Sequence, residues 1–347
     1  MSPQQKALIL LEKQGNFKVG SRSIPTPGTG QLLVKVYSAA LNPVDYKIQV
    51  DGIFVTHYPA VLGVDIAGIV EELGEGVENF REGDKVLAHG NFYMIDQGAF
   101  QQYTLAVATF TAKIPSSQSF DSAATVPLGV DTAVAGLYGK HLGAGITPPW
   151  AKIVNDHEPK KPIVILGGSS SVGSYTIQLA RLSGFYPIIT TASPSNEDLV
   201  KDYGATHFFD RHLSASQLMV AINKVTDSPI RIVYDAISLP ETQSVGWGLL
   251  AQNGILVLTL PALVKEDEGK GRKAVHTIGS PHLPHNNQEL FRSSWGMIEK
   301  WLLEGIIQPN NREILPNGLE GIIGGLERMR MEQVSGTKLV AHPQETK

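Results

Sequence analysis

The chain has 347 residues, of which 42% are apolar and 18% charged, with a net charge of −4. That is the composition of a globular protein with ample core, and it gives no electrostatic case for nucleic acid or an acidic membrane surface. Cysteine is absent, which excludes disulfides, catalytic thiols and thiolate-bound metals, and the five consecutive apolar residues Ala7–Leu11 are too few for a signal-peptide core or a membrane span. A cytoplasmic protein is therefore expected.

Residues 1–127 read as β-rich. The runs Lys6–Leu11, Leu32–Leu41, Ala67–Leu73, Lys85–His89 and Phe100–Ala108 are apolar or alternating, and Gly/Pro/Asp segments such as Ile24–Gly30 separate them. A compact barrel or sandwich-like domain follows from that pattern. Near Pro127 the texture changes: Val126–His141 has helical spacing, and Ile146–Lys161 is a Pro-rich charged connection.

A regular alternation comes next. Strand Ile163–Leu166 leads to helix Val172–Ser183, strand Pro187–Thr191 to helix Glu197–Tyr203, and strand His207–Phe209 to helix Ser214–Val225. Strands Ile230–Ala236, Ile255–Leu260 and Ala274–Ile278 continue it, with a helical stretch about Pro240–Ala251. This predicts a parallel, doubly wound sheet with helices on both faces. Helices Glu289–Glu304 and Asn317–Met331 and a last strand Lys338–Ala341 close a discontinuous architecture. Ligand pockets in such proteins favour the carboxyl ends of the parallel strands and the cleft between domains.

The turn Gly167–Gly173, between an apolar strand and a helix, suits a pyrophosphate, because backbone N–H groups and the positive helix end face outward. Gly168 and Gly173 take the outer positions of a Gly-x-Gly-x-x-Gly pattern and Ser170 the middle one, with Ser171 and Val172 completing the helix start. An NAD site usually places an acid at the end of the second strand; here Ala192 and Ser193 stand there, followed by Ser195, Asn196 and, after the next run, Arg211. Small donors and one guanidinium fit a 2′-phosphate, so NADP(H) is the expected cofactor. Ser193–Asn196 also suits a plain cap on the helix that begins near Glu197.

Five ordered motifs carry a family resemblance: Asn42-Pro-Val-Asp-Tyr-Lys47, Pro59–Gly68, Gly83-Asp-Lys-Val86, Gly98-Ala-Phe100 and Gly167–Gly173. Together they resemble the medium-chain dehydrogenase/reductase superfamily, in its zinc-independent quinone oxidoreductase and enoyl reductase branch, most like the fungal trans-acting enoyl reductases. The resemblance implies an α/β fold: a GroES-like β-rich catalytic domain (1–127 and 286–347) plus a Rossmann doubly wound parallel sheet domain (128–285). The zinc-dependent branch has Cys where Asn42 stands and a His-Glu pair near Val64-Asp65, so those ligands are missing here. His89, His282 and His285 remain, and Pro281–His285 reads as an irregular loop that would not hold His282 and His285 on one face.

Without a Lewis acid, alkoxide stabilisation at the carbon receiving hydride is hard. Conjugate reduction instead collects charge on a remote enolate oxygen, which hydrogen-bond donors can stabilise. The resemblance implies that Val44, Asp45 and Lys47 line the nicotinamide end of the cofactor, with Lys47 and then Tyr46 as catalytic donors and Asp45 as a cap or as partner of Lys47. It places Thr132 against the nicotinamide and acyl group, and Leu258 and Thr259 against the carboxamide. Ile278, Gly279 and Ser280 face the substrate, and Val334 and Ser335 the cofactor; Phe54, Tyr58 and Tyr93 are candidate aromatic walls. The reading is a metal-free NADPH reductase of an enone, enal or enoyl thioester, a small molecule that a polyketide-synthase-like acyl carrier could deliver, in a monomer or homodimer. A quinone oxidoreductase and a non-catalytic NADPH-binding protein are the alternatives, with a zinc alcohol dehydrogenase a distant third.

Overall fold

The computed structural model describes residues 3–151, 161–265, 269–283 and 287–347. In chain order the first elements are β1 (Gln4–Leu10), β2 (Phe17–Ser23), β3 (Gln31–Ala40), α1 (Pro43–Asp51), β4 (Ala60–Val61) and β5 (Asp65–Leu73). Then come β6 (Lys85–His89), β7 (Tyr103–Val107), β8 (Thr111–Lys113), α2 (Phe120–Ala123) and α3 (Pro127–Tyr138). The alternating part is β9 (Ile163–Leu166), α4 (Ser171–Leu182), β10 (Ile188–Ala192), α5 (Glu197–Asp202), β11 (His207–Asp210) and α6 (Ala215–Val225). It continues as β12 (Ile232–Asp235), α7 (Pro240–Leu249), β13 (Ile255–Leu258) and β14 (Lys273–His276). Last are α8 (Gln288–Leu303), β15 (Arg312–Ile314), α9 (Gly318–Arg330) and β16 (Lys338–Ala341).

The chain divides into two compact units, Met1–Leu128 with Arg292–Gly305 and Pro309–Lys347, and Gly129–Phe291 with Ile306–Gln308. In the first unit β15, β16, β3, β5, β6 and β8 follow one another in a seven-stranded sheet that β7 completes by pairing with β3. A small sheet, β2-β1-β4, stands beside it. Irregularities between Leu33/Val34 and Val36/Ser38 interrupt the β3–β5 ladder, the kind of bulge that bends and curls a sheet. Leu8, Val34 and Ile66 from the strands, Phe100 from the turn before β7 and Leu319, Ile322 and Leu326 from α9 share one core. α9 reaches it because its apolar residues recur at spacings of three and four, one face of a helix.

The second unit holds the parallel sheet, in the order β11-β10-β9-β12-β13-β14. This is the doubly wound order, which reverses direction at β9. All four residues of β9 are buried, as befits a central strand covered on both faces. Val164, Leu166, Val233 and Leu256 from the sheet pack with Leu218 and Ile222 of α6.

Several elements differ from the sequence reading. β2, β4, β8 and β15 were not expected, because each is two to seven residues long and β2 and β15 are largely exposed strands held by their ladders. The expected run Phe100–Ala108 contributes only Tyr103–Val107 as strand, since Ala99 and Phe100 turn to bond Gly63 and Leu62.

Candidate active site

In the first unit the site begins at α1. Asn42 is its N-cap, with an extended backbone (φ −133°), and Pro43 opens the helix where its missing N–H costs nothing. The Asp45 carboxylate reaches back to accept the Asn42 N–H at 2.8 Å and also accepts the Gly63 N–H at 3.2 Å. Burial, only partly offset by these two bonds, pushes its pKa up to about 7, with the charge of Asp65 adding to the rise. The side-chain amide of Asn42 turns inward. Its Nδ2 donates to Asp65 Oδ2 at 2.8 Å, and its Oδ1 accepts from Lys338 Nζ at 2.8 Å.

Lys338 Nζ also lies 2.7 Å from Asp65 Oδ2, in a pair whose side chains are 4% and 0% exposed. Asp65 Oδ1 accepts the Leu128 N–H at 2.7 Å. The positions that carry metal ligands in the zinc-dependent branch are thus occupied by an internal ion pair and an amide. His89 lies across the β5–β6 ladder from Asp65 and is also buried. Among the described residues no group of three or more His, Asp and Glu could hold a metal; His285 lies outside those residues.

Lys47 is half-buried, and burial draws its pKa down, opposed by the charge of Asp51. Its charged neighbour is therefore Asp51, whereas Asp45 points to the cap and to Gly63; of the two roles expected for Asp45, the structure shows the cap. Burial raises the Tyr46 hydroxyl, with Asp51 and Glu332 contributing. Val44 and Val334 both pack on the first unit's core. Phe54 and Tyr93 meet through Phe92, with ring centroids 6.3 and 4.8 Å from it. Phe92 is not among the aromatic walls expected from the sequence, where its neighbour Tyr93 is the candidate and nothing in local spacing links Phe92 to Phe54. Tyr58 spends its hydroxyl on the Val55 carbonyl.

In the second unit Ser170 caps α4, its Oγ accepting the Gly173 N–H at 3.1 Å. Gly173 must stay bare, because a Cβ there would stand 2.2 Å from the Gly167 carbonyl oxygen. Ser193, Ser195 and Asn196 form the short turn after β10, and Asn196 Nδ2 donates to Ser169 Oγ at 3.2 Å. That bond ties the phosphate-type loop to the turn; Ser169 went unnoticed because nothing in local spacing links it to Asn196. The Arg211 N–H donates to the Ala192 carbonyl, which brings Arg211 to the same rim, exposed.

Further along the strand ends, Asp235 Oδ1 accepts the N–H groups of Ile237 and Ser238 at 3.0 and 2.8 Å. Ser238 Oγ then accepts the Thr259 N–H at 2.8 Å, so the β12 and β13 ends are fastened together beside Leu258. Thr132 and the loop Ile278–Ser280 are also brought together. A Cβ on Gly279 would meet Thr132 Oγ1 at 2.2 Å, and Tyr234 Oη donates to the Thr132 carbonyl at 2.8 Å. Two buried polar atoms at these strand ends, Asp235 Oδ2 and Thr277 Oγ1, have no hydrogen-bond partner among the described residues. A helix start cradled by glycine, a rim of hydroxyl, amide and guanidinium donors and unsatisfied polar atoms at the strand ends together fit a dinucleotide.

The alcohol dehydrogenase GroES-like domain family matches residues 28–116, and the zinc-binding dehydrogenase family matches residues 171–299. A trans-enoyl reductase of Aspergillus sclerotiorum is 34% identical, over 93% of this chain and 95% of its own length. Among solved structures, an alcohol dehydrogenase superfamily protein from Novosphingobium aromaticivorans superposes with a TM-score of 0.79 at 22% identity, covering 97% of this chain and 98% of its own. A mycobacterial protein complexed with NADPH gives 0.75 at 21% identity, covering 98% and 100%. No helix among the described residues is long and apolar enough to cross a membrane. The chain belongs to the medium-chain dehydrogenase/reductase superfamily, as an oxidoreductase that uses a nicotinamide cofactor on a small-molecule substrate.

Proposed function

We propose that this protein is an NADPH-dependent reductase of activated C=C bonds, acting on an enone, enal or enoyl thioester. Residues 1–127 and 286–347 would form its catalytic domain and 128–285 its NADP-binding domain. The observation that carries the reading is the commitment of Asn42 and Asp65 to Lys338. With those positions spent on an ammonium and an amide, hydrogen-bond donors are left to stabilise developing charge, which suits an enolate better than an alkoxide. Similarity along nearly the whole chain to a protein named as a trans-enoyl reductase supports the same reading; in its more specific version an acyl carrier presents the substrate.

When bound, NADPH supplies the hydride that the β-carbon accepts. Ser170, Ser171, Val172 and Gly173 offer the helix start to its pyrophosphate, while Ser193, Ser195, Asn196 and Arg211 hold the 2′-phosphate. Leu258 and Thr259 bond the carboxamide through main-chain atoms, and Val44, Val334 and Ser335 flank the ring. Lys47 and Tyr46 donate to the oxygen on which charge collects, and burial readies the Lys47 proton for that task. Thr132, Ile278, Gly279 and Ser280 shape the acyl site; the α-carbon takes its proton from a side chain or water.

The test is NADPH consumption with conjugated ketones, aldehydes, thioesters and quinones in parallel, with product analysis. Saturated products from the alkenes are expected; turnover of quinones alone would replace the reading with quinone reduction, and tight NADPH binding with no turnover would make the protein a binding module. Lys47→Ala should lower kcat by about 100-fold in a protein that still binds NADPH. An unchanged kcat would remove Lys47 from the chemistry.

A further inference from the structure

We propose that Lys338 is a positioning residue: its ammonium, clamped between Asn42 Oδ1 and Asp65 Oδ2, fixes the start of α1 and so the aim of Tyr46 and Lys47. The proposal rests on the reading of Lys47 and Tyr46 as donors to substrate or cofactor.

The geometry leads to it in three steps. First, an amide as N-cap can present either its oxygen or its nitrogen inward, and here both ends are fixed, Nδ2 on Asp65 and Oδ1 on Lys338. The plane of the Asn42 side chain is therefore set from β5 and β16 together. Second, the Asn42 N–H is held by Asp45, whose other oxygen takes the Gly63 N–H, so the first turn of α1 is pinned to the strand connection before β5. Third, α1 has nine residues, and Tyr46 and Lys47 stand barely one turn beyond that anchor. A shift at the cap passes almost undiminished to the Lys47 ammonium, and displacements near 1 Å are costly in a reacting site.

A buried ion pair is a poor device for stability alone, since apolar residues of similar volume often serve as well. Its value lies in direction: an ammonium with two fixed acceptors orients what it touches, which an apolar contact does not. Lys338 reaches Asn42 from 296 residues away in the chain, on a strand inserted between β15 and β3.

The test compares wild type with Lys338→Met/Asp65→Asn, which removes both charges and keeps an oxygen for the Leu128 N–H, and with Lys338→Arg, which keeps the charge but moves its donors. Steady-state kinetics with an enone are read together with hydrogen exchange across 43–51. In a variant that folds, α1 amides should exchange about 10-fold faster, and kcat should fall about 10-fold while KM for NADPH stays within about twofold. Unchanged exchange overturns the proposal, as does faster exchange with unchanged kcat or a loss confined to the KM for NADPH. Failure of both variants to fold would make Lys338 a folding element and overturn it too. A wild-type protein with no alkene turnover would sink the functional reading itself, a result visible before any variant is made.

Discussion

At the start of α1, every polar group of the cap is turned inward and answered, by Asp45, Asp65, Lys338 and the Gly63 N–H. At the start of α4, Ser170 closes one N–H of the first turn, and the rest of the rim is hydroxyl, amide and the Arg211 guanidinium around a glycine-lined loop, with no carboxylate turned onto it in the bonds described above. Both are helix N-termini with the same partial positive charge. The first consumes that charge internally and becomes a rigid mount; the second leaves it available to an anion. Local helix physics therefore does not decide which end binds a ligand. What decides it is whether the fold supplies buried countercharges.

The harshest way to break the contrast is Gly173→Val. Its Cβ would meet backbone 2.2 Å away, so about 3 kcal/mol of stability and NADPH binding should be lost together. Thermal denaturation and NADPH fluorescence titration check this. Next comes Asp45, whose folded pKa of about 7 lies above its ordinary value of 3.8. The folded protein holds that proton more tightly than the unfolded chain, so this group's contribution is full below pH 4 and is lost as pH rises to about 7. Asp45→Asn should erase that component, changing the difference in Tm between pH 5 and pH 8 by about 5 °C relative to wild type. Identical pH profiles would show that Asp45 does not titrate in that window.

Arg211→Ala should weaken NADPH by roughly 10-fold and leave NADH unchanged, as expected for the loss of a charge-assisted contact. Equal losses for both would remove Arg211 from cofactor selection. The smallest effect is Asn196→Ala, which cuts the tie to Ser169. About 1 kcal/mol, near fivefold in the KM for NADPH, is the expected outcome.

The alternating half of the molecule was readable because its strands are buried on both faces. A run such as Ile163–Leu166 announces itself without reference to any partner. The glycine-lined loop and the missing acid after β10 were readable for the same reason, being local. β2 was not: Phe17–Ser23 carries few apolar residues and exists as a strand because β1 pairs with it along its length. The network at α1 was visible only as separate residues. Asp45 could be read as a cap from Asn42-Pro43, but Lys338 sits in an ordinary final strand, and nothing in periodicity marks it as the cation for Asp65. Pairings across the length of a chain follow from topology, which hydrophobic spacing specifies only indirectly.

The insertion of β16 between β15 and β3 has a consequence for biosynthesis. Residues 31–40 leave the ribosome early, yet one flank of that strand is completed only by residues 338–341. The second unit, drawn almost wholly from 129–291, can finish while the first still waits with an open sheet edge. Ribosome-bound chains stalled before Lys338 should accordingly show a protease-resistant half built on the parallel sheet beside an easily digested β-rich half.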